Sequence, residues 1–172
     1  DIHKDMEEYV ESKKNIYRFQ NEGDSLVVNA DNDITAPLVG PGATNAFSRA
    51  GKDVKVRLED GIIYRDGVAV LDKKDILLPG EHNVENYMAA IAVVEGLVDD
   101  EVIRRVAKTF GGVEHRIELV RIKDGVRYYN DSIASSPSRT MAGLKSFPEK
   151  VILIAGGYDK HIPYDVLGPE IC

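Results

Sequence analysis

Two Asp-Gly pairs, Asp60-Gly61 and Asp66-Gly67, separate short β-like runs and constrain this chain more than any other feature. Such a pair suits a tight hairpin, because glycine takes the positive φ of the turn at little cost. The runs SLVVN, TNAFSR, VKVRLE, GIIYRD and VAVL therefore read as a small-stranded region from residue 25 to about 78. Before it, Met6, Tyr9, Val10, Ile16 and Tyr17 recur at helical spacing and predict a helix over 4–20, stopped by Asn21-Glu22-Gly23-Asp24. After it, Leu78-Pro79-Gly80 leads into a helix over about 82–96, with Val84, Tyr87, Met88, Ile91 and Val94 on its core face. A second helix, over about 99–110, starts at Asp99 and stops at Gly111-Gly112.

That Gly-Gly pair is the expected domain boundary, since a new pattern starts behind it. IELVRI, the turn at Lys123-Asp124-Gly125 and VRYYN predict a hairpin, and Ser136-Pro137 opens a helix to about Phe147. KVILIAGG is a continuous apolar run of the kind found in a strand covered on both faces. Strand, helix and buried strand make a βαβ unit, so the fold class is α/β.

At 172 residues and 43% hydrophobic content the chain has enough apolar material for a real core. A net charge of −7 and a pI near 5.1 argue against broad electrostatic binding to nucleic acid or to acidic membranes. The single cysteine, Cys172, excludes an intrachain disulfide, and cytoplasm is the default compartment. No apolar run approaches the roughly 20 residues of a membrane span. The first residue is Asp1 rather than methionine, from which a fragment or a processed product is expected.

Ligands in open α/β sheets collect beyond the carboxyl ends of strands. Two such ends are expected to lie side by side, Asn130-Asp131-Ser132 and Gly156-Gly157-Tyr158-Asp159-Lys160. Asp131 could bind ribose hydroxyls or help position a cation, Ser132 and Ser135 could donate hydrogen bonds, and Lys160 could hold a carboxylate or phosphate. Turn and cap formation is the ordinary alternative, and for Ser136 it is preferred. Asn83 and Asn86 are neighbours on one face of a helix start, where paired amides suit a nucleobase edge; a cap beside a solvated amide is the plainer reading. Arg116 could reach a phosphate as a bidentate fork or simply pair with Glu118. Lys13 falls in the middle of the arc made by Met6, Tyr9, Ile16 and Tyr17. It either snorkels to water or is buried with a lowered pKa, available for carbamate formation with carbon dioxide.

Taken in order, these residues resemble the Mur ligase family of ATP-dependent amino acid ligases in peptidoglycan synthesis, over essentially the whole chain. Asp1-Ile2-His3 followed by Met6, Tyr9 and Lys13 resembles the segment whose lysine is carbamylated and helps bind magnesium. GEHNVENYMAA resembles the motif whose asparagines contact adenine, here Asn83 and Asn86. FGGVEHRIE resembles the hinge between central and C-terminal domains, with Arg116 matching the arginine that reaches toward ATP. NDSIASSP followed by AGGYDK is most similar to the branch that adds D-glutamate to UDP-N-acetylmuramoyl-L-alanine. Ile133 stands where some members of that branch have lysine, and Ser135 where they have threonine.

The resemblance implies residues 1–111 as the latter part of a central ATP-binding domain and 112–172 as the first part of a Rossmann-like C-terminal ligase domain. It implies ATP and Mg2+ as cofactors, with Lys13 as the catalytic, metal-holding carbamate. Asn83, Asn86, Arg116 and Asp131 would bind the nucleotide, and Ser135 and Lys160 the incoming D-glutamate. The family's Gly-rich phosphate loop is absent from these 172 residues, so an internal piece of a ligase, inactive alone, is expected. Another Mur or folylpolyglutamate-type ligase and a non-catalytic nucleotide-binding module are the competing readings.

Overall fold

The computed structural model describes residues 3–158 and 161–171. They form two compact units, one from the described residues of 3–75 and 84–106 and the other from those of 76–83 and 107–171.

The first unit opens with helix α1 (Met6–Lys13) and the short α2 (Asn15–Arg18). Asp5 caps α1 by accepting the Glu8 N–H, and Glu7 and Glu8 suit the positive end of the helix dipole. The helix expected over 4–20 is thus broken at Lys14; Val10 and Tyr17 are half-buried, whereas Ile16 is 79% and Phe19 88% exposed.

A five-stranded sheet follows, ordered β1 (Ser25–Asn29), β2 (Ala43–Ser48), β3 (Val56–Glu59), β4 (Ile62–Arg65) and β5 (Val68–Asp72). The first three strands run parallel. A link as short as 49–55 is possible because β2 and β3 pair only where one ends and the other begins, at Phe47 with Val56 and Ser48 with Arg57. The last three strands are antiparallel hairpins turning on Asp60-Gly61 and Asp66-Gly67, all four residues at positive φ. This is the geometry expected of those pairs, and it sets the register.

Helix α3 (Glu81–Val93) buries Val84, Tyr87, Met88, Ile91 and Ala92 along one stripe, and α4 (Asp100–Thr109) buries Ile103. Together with Val56, Ile63, Val70 and Leu71 of the sheet, these side chains leave water almost completely. Polar ties join helix to sheet: Asp100 pairs with Arg65 at 2.7 Å, and Arg104 Nε donates to the Val70 carbonyl at 2.8 Å.

Asp31 fastens the β1–β2 end of the sheet. Its carboxylate accepts from Ser48 Oγ at 2.7 Å and from the N–H groups of Arg49 at 2.7 Å and Ala50 at 3.0 Å. Burial pulls its pKa upward, but the Ala50 N–H, the Ser48 hydroxyl, the Arg49 N–H and the Lys52 ammonium together outweigh burial and hold it below the ordinary aspartate value.

In the second unit β6 (Glu118–Lys123) and β7 (Val126–Asn130) form a hairpin on Asp124-Gly125, and α5 (Pro137–Leu144) follows with Pro137 in its first turn. The Tyr129 and Phe147 rings meet at 4.9 Å. Val151 to Ala155 do not form the expected buried strand: Ile152 is 94% and Ile154 92% exposed. A strand needs a neighbour for its N–H and C=O groups, and β6 and β7 pair only with each other, so the βαβ unit is not closed among the described residues. No helix among the described residues is long and apolar enough to cross a membrane.

A carboxyl whose folded pKa is depressed stabilises fully above its unfolded value, and that contribution disappears as pH falls through the folded value. Asp31→Asn is therefore expected to cost about 1–3 kcal/mol at neutral pH, read by urea unfolding. The gap to the wild type should narrow as pH drops below about 4.

Candidate functional site

The residues singled out in the sequence fall into three places. Lys13 ends α1, exposed rather than buried on an apolar face, with its ammonium 5.3 Å from the centre of the Tyr9 ring. The His3 ring meets the same tyrosine edge-on at 5.5 Å. Aromatic faces attract cations, which accounts for the lysine over Tyr9; the histidine meets the ring from the N-terminal side of the helix.

Asn83 and Asn86 lie on the first two turns of α3. Asn83 is only 7% exposed, and its Nδ2 donates to the Pro79 carbonyl at 2.7 Å. One amide donor is thereby given to the Leu78-Pro79-Gly80 turn. Asn86 is exposed. Gly80 permits the turn: at φ +98° it lies so close to Ser146 that a Cβ would stand 2.3 Å from the serine hydroxyl oxygen.

The third place is the segment 113–118 together with the loop after β7. Arg116 and Asp131 are brought close, because the N–H of Ile117 donates to Asp131 Oδ1 at 3.1 Å. Asn130 Nδ2 lies 2.8 Å from His115 Nδ1, and the Ile133 N–H donates to the His115 carbonyl at 3.3 Å. The Glu118 carboxylate takes the His115 N–H at 2.9 Å, a partner other than the Arg116 that the sequence offered it. The Arg116 side chain is exposed.

Ser135 sits in the same loop, exposed, and Ser136 occupies the N-cap position of α5. The Ser136 hydroxyl lies 3.3 Å from that of Ser138 and makes no capping bond. Lys160 lies outside the described residues. The two strand ends expected side by side are not brought together by a parallel pair, since 151–155 form no strand. Sequence reasoning passed over His115, Ile117 and Gly143 as site residues. Nothing in the residue type of an isoleucine announces a left-handed backbone, although Asn130-Asp131 does announce a turn.

With this geometry in hand, comparison with known proteins defines the class. The Mur ligase middle domain matches residues 1–94, more than half of the chain, and the chain belongs to the Mur ligase family. Among its relatives, the UDP-N-acetylmuramoylalanine–D-glutamate ligase of Acetivibrio thermocellus is 57% identical over 178 residues, covering 99% of this chain and 38% of the relative. That of Clostridium beijerinckii is 51% identical over 176 residues, with the same coverage. The chain thus spans 38% of the length of these relatives. Among solved structures, MurF from Acinetobacter baumannii superposes with a TM-score of 0.66 at 20% identity, over 81% of this chain and 32% of that one. The UDP-N-acetylmuramate-alanine ligase MurC of Thermotoga maritima gives 0.62 at 21% identity, over 83% and 34%. At such identities the likeness speaks for the shared α/β fold.

Asn83→Ala is expected to lower stability by about 1–3 kcal/mol, because it leaves the Pro79 carbonyl without its donor. Urea unfolding of the protein without nucleotide measures this separately from any effect on ligand binding.

Proposed function

We propose that this chain is part of an ATP-dependent ligase that joins D-glutamate to UDP-N-acetylmuramoyl-L-alanine in peptidoglycan synthesis. The observation that carries the reading is the 57% identity, along 99% of the chain, to a relative named for that reaction. In this reading 1–111 is the latter part of a central ATP-binding domain and 112–172 the first part of a C-terminal ligase domain. The work is cytoplasmic, where ATP and the nucleotide-sugar are soluble.

In this reaction ATP phosphorylates the terminal alanine carboxylate to an acyl phosphate, the D-glutamate amine attacks its carbonyl carbon, and phosphate leaves. Asn83 and Asn86 contact adenine. Asn83 holds the turn before α3 through its Nδ2 bond to the Pro79 carbonyl, which fixes the start of the helix that carries both amides. Arg116 and Asp131 serve the nucleotide, and Ser135 and Lys160 the amino acid. A guanidinium suits a polyphosphate because two N–H groups can meet two oxygens at once. Ile133 contributes no charge, so the glutamate carboxylates depend on the remaining polar groups.

Lys13 is exposed at the end of α1, so its assignment as a carbamate rests on the family resemblance and not on burial. The resulting carbamate reverses the charge and offers hard oxygen donors of the type Mg2+ takes together with nucleotide phosphates. When bound, Mg2+ supplies charge neutralisation at the phosphates. The chain's own contribution is chiefly positioning.

Two experiments on the full-length protein test this. Phosphate release across a panel of amino acids should favour D-glutamate by about 100-fold or more. Preference for another amino acid would move the protein to another branch, and release with none would leave a nucleotide-binding module. Lys13→Ala should lower turnover by about 100-fold or more, with part regained on adding a short carboxylate. Near-normal turnover would return Lys13 to a surface lysine stacked on Tyr9.

A further inference from the structure

We propose that Asp131 is a positioning residue for Arg116: its carboxylate holds Ile117 in a left-handed backbone conformation, and that conformation fixes how the arginine side chain leaves the hinge. The target of Arg116 rests on the ligase reading above, whereas the clamp itself does not.

Both neighbours of Arg116 have positive φ, His115 at +65° and Ile117 at +46°. Histidine visits this region several-fold more often than most residues, but for a β-branched side chain it is a true outlier, because the branched Cβ crowds the backbone. A strained residue persists only where its surroundings over-determine it. Here the surroundings are specific. The Ile117 N–H donates to Asp131 Oδ1 at 3.1 Å, the His115 carbonyl accepts from Ile133 at 3.3 Å, and the His115 ring is held by Asn130 at 2.8 Å. The loop after β7 therefore fixes the residues on either side of Arg116.

Asp131 is itself fixed from behind. A Cβ on Gly143 of α5 would stand 2.8 Å from Asp131 Oδ2, so a side chain there would push the carboxylate aside. With one oxygen on the Ile117 N–H and the other against Gly143, the carboxylate has little room to turn. Arg116 is exposed and flexible beyond its Cβ, but the direction of its Cα–Cβ bond is set by these contacts. Displacement of a charged group by about 1 Å is enough to matter at a reacting phosphate. The role is distinct from a nucleotide contact by Asp131, and the two leave different signatures.

The test uses the full-length protein labelled with 15N-isoleucine. Asp131→Ala should speed amide exchange at Ile117 by about tenfold or more and change its HN–Hα coupling as φ turns negative. Asp131→Asn, whose carboxamide oxygen accepts the same N–H, should keep both near the wild type. Gly143→Ala should reproduce the Asp131→Ala amide behaviour by pushing the carboxylate aside, without removing it. For function, Asp131→Ala should raise the Kd for ATP by about tenfold, and adding Ile117→Gly, free to take positive φ, should regain about half of that on a logarithmic scale. An unchanged Ile117 amide in both Asp131→Ala and Gly143→Ala overturns the clamp. A changed amide with no regain from Ile117→Gly overturns the aiming of Arg116. A wild type that binds ATP but forms no product with D-glutamate defeats the ligase reading, and the amide and ATP arms then still decide the proposal.

Discussion

A polar backbone group that leaves water must find a partner, and at the decisive bends of this chain the partner is a short acidic or amide side chain. Asp31 accepts two N–H groups and a hydroxyl from the turn after β2. Asn83 supplies a donor to the Pro79 carbonyl, and Asp131 accepts the Ile117 N–H. Such side chains lose little rotamer freedom on ordering and carry their polar atoms close to the main chain. Each closes a bend that no repeating ladder could satisfy. The β1–β2 end of the sheet, the entry to α3 and the bearing of Arg116 all follow from these closures.

The two units are held by different means. In the first, Val56, Ile63, Val70, Leu71, Met88 and Ile91 are almost wholly removed from water, so the sheet and α3 form a packed interior. In the second, β6 and β7 expose nearly every side chain, and the ties are a ring contact, hydrogen bonds and ion pairs such as Arg127 with Glu149. Ion pairs of that exposure contribute little. Local opening should therefore be easier in the second unit than in the first.

The sequence was most legible where a residue type forces a backbone conformation. Asp-Gly at 60–61, 66–67 and 124–125 turned as expected, and the strands between them fell within a residue or two of their expected limits. The stripe Val84, Tyr87, Met88 and Ile91 was visible because helical period and burial coincide. The run at 151–155 misled, because apolar composition states a demand for burial without providing neighbours to meet it. Lys13 was placed on an apolar arc that the structure leaves open to solvent. In the candidate site, Asn83, Arg116 and Asp131 were singled out from chemistry and family resemblance. The left-handed pose of Ile117 was not, since it arises from a contact made fourteen residues along the chain.

The bare segment 151–155 has a consequence for the chain in solution. Val-Ile-Leu-Ile-Ala combines high β-propensity with no charge and no proline, and Ile152 and Ile154 stand almost fully in water. Among the described residues, β6 and β7 pair only with each other and so offer open strand edges. Glu149 and Lys150 guard only the N-terminal side, and Gly156-Gly157 follows without a charge. Handled by itself at high concentration, this stretch of polypeptide carries the composition of a self-associating peptide.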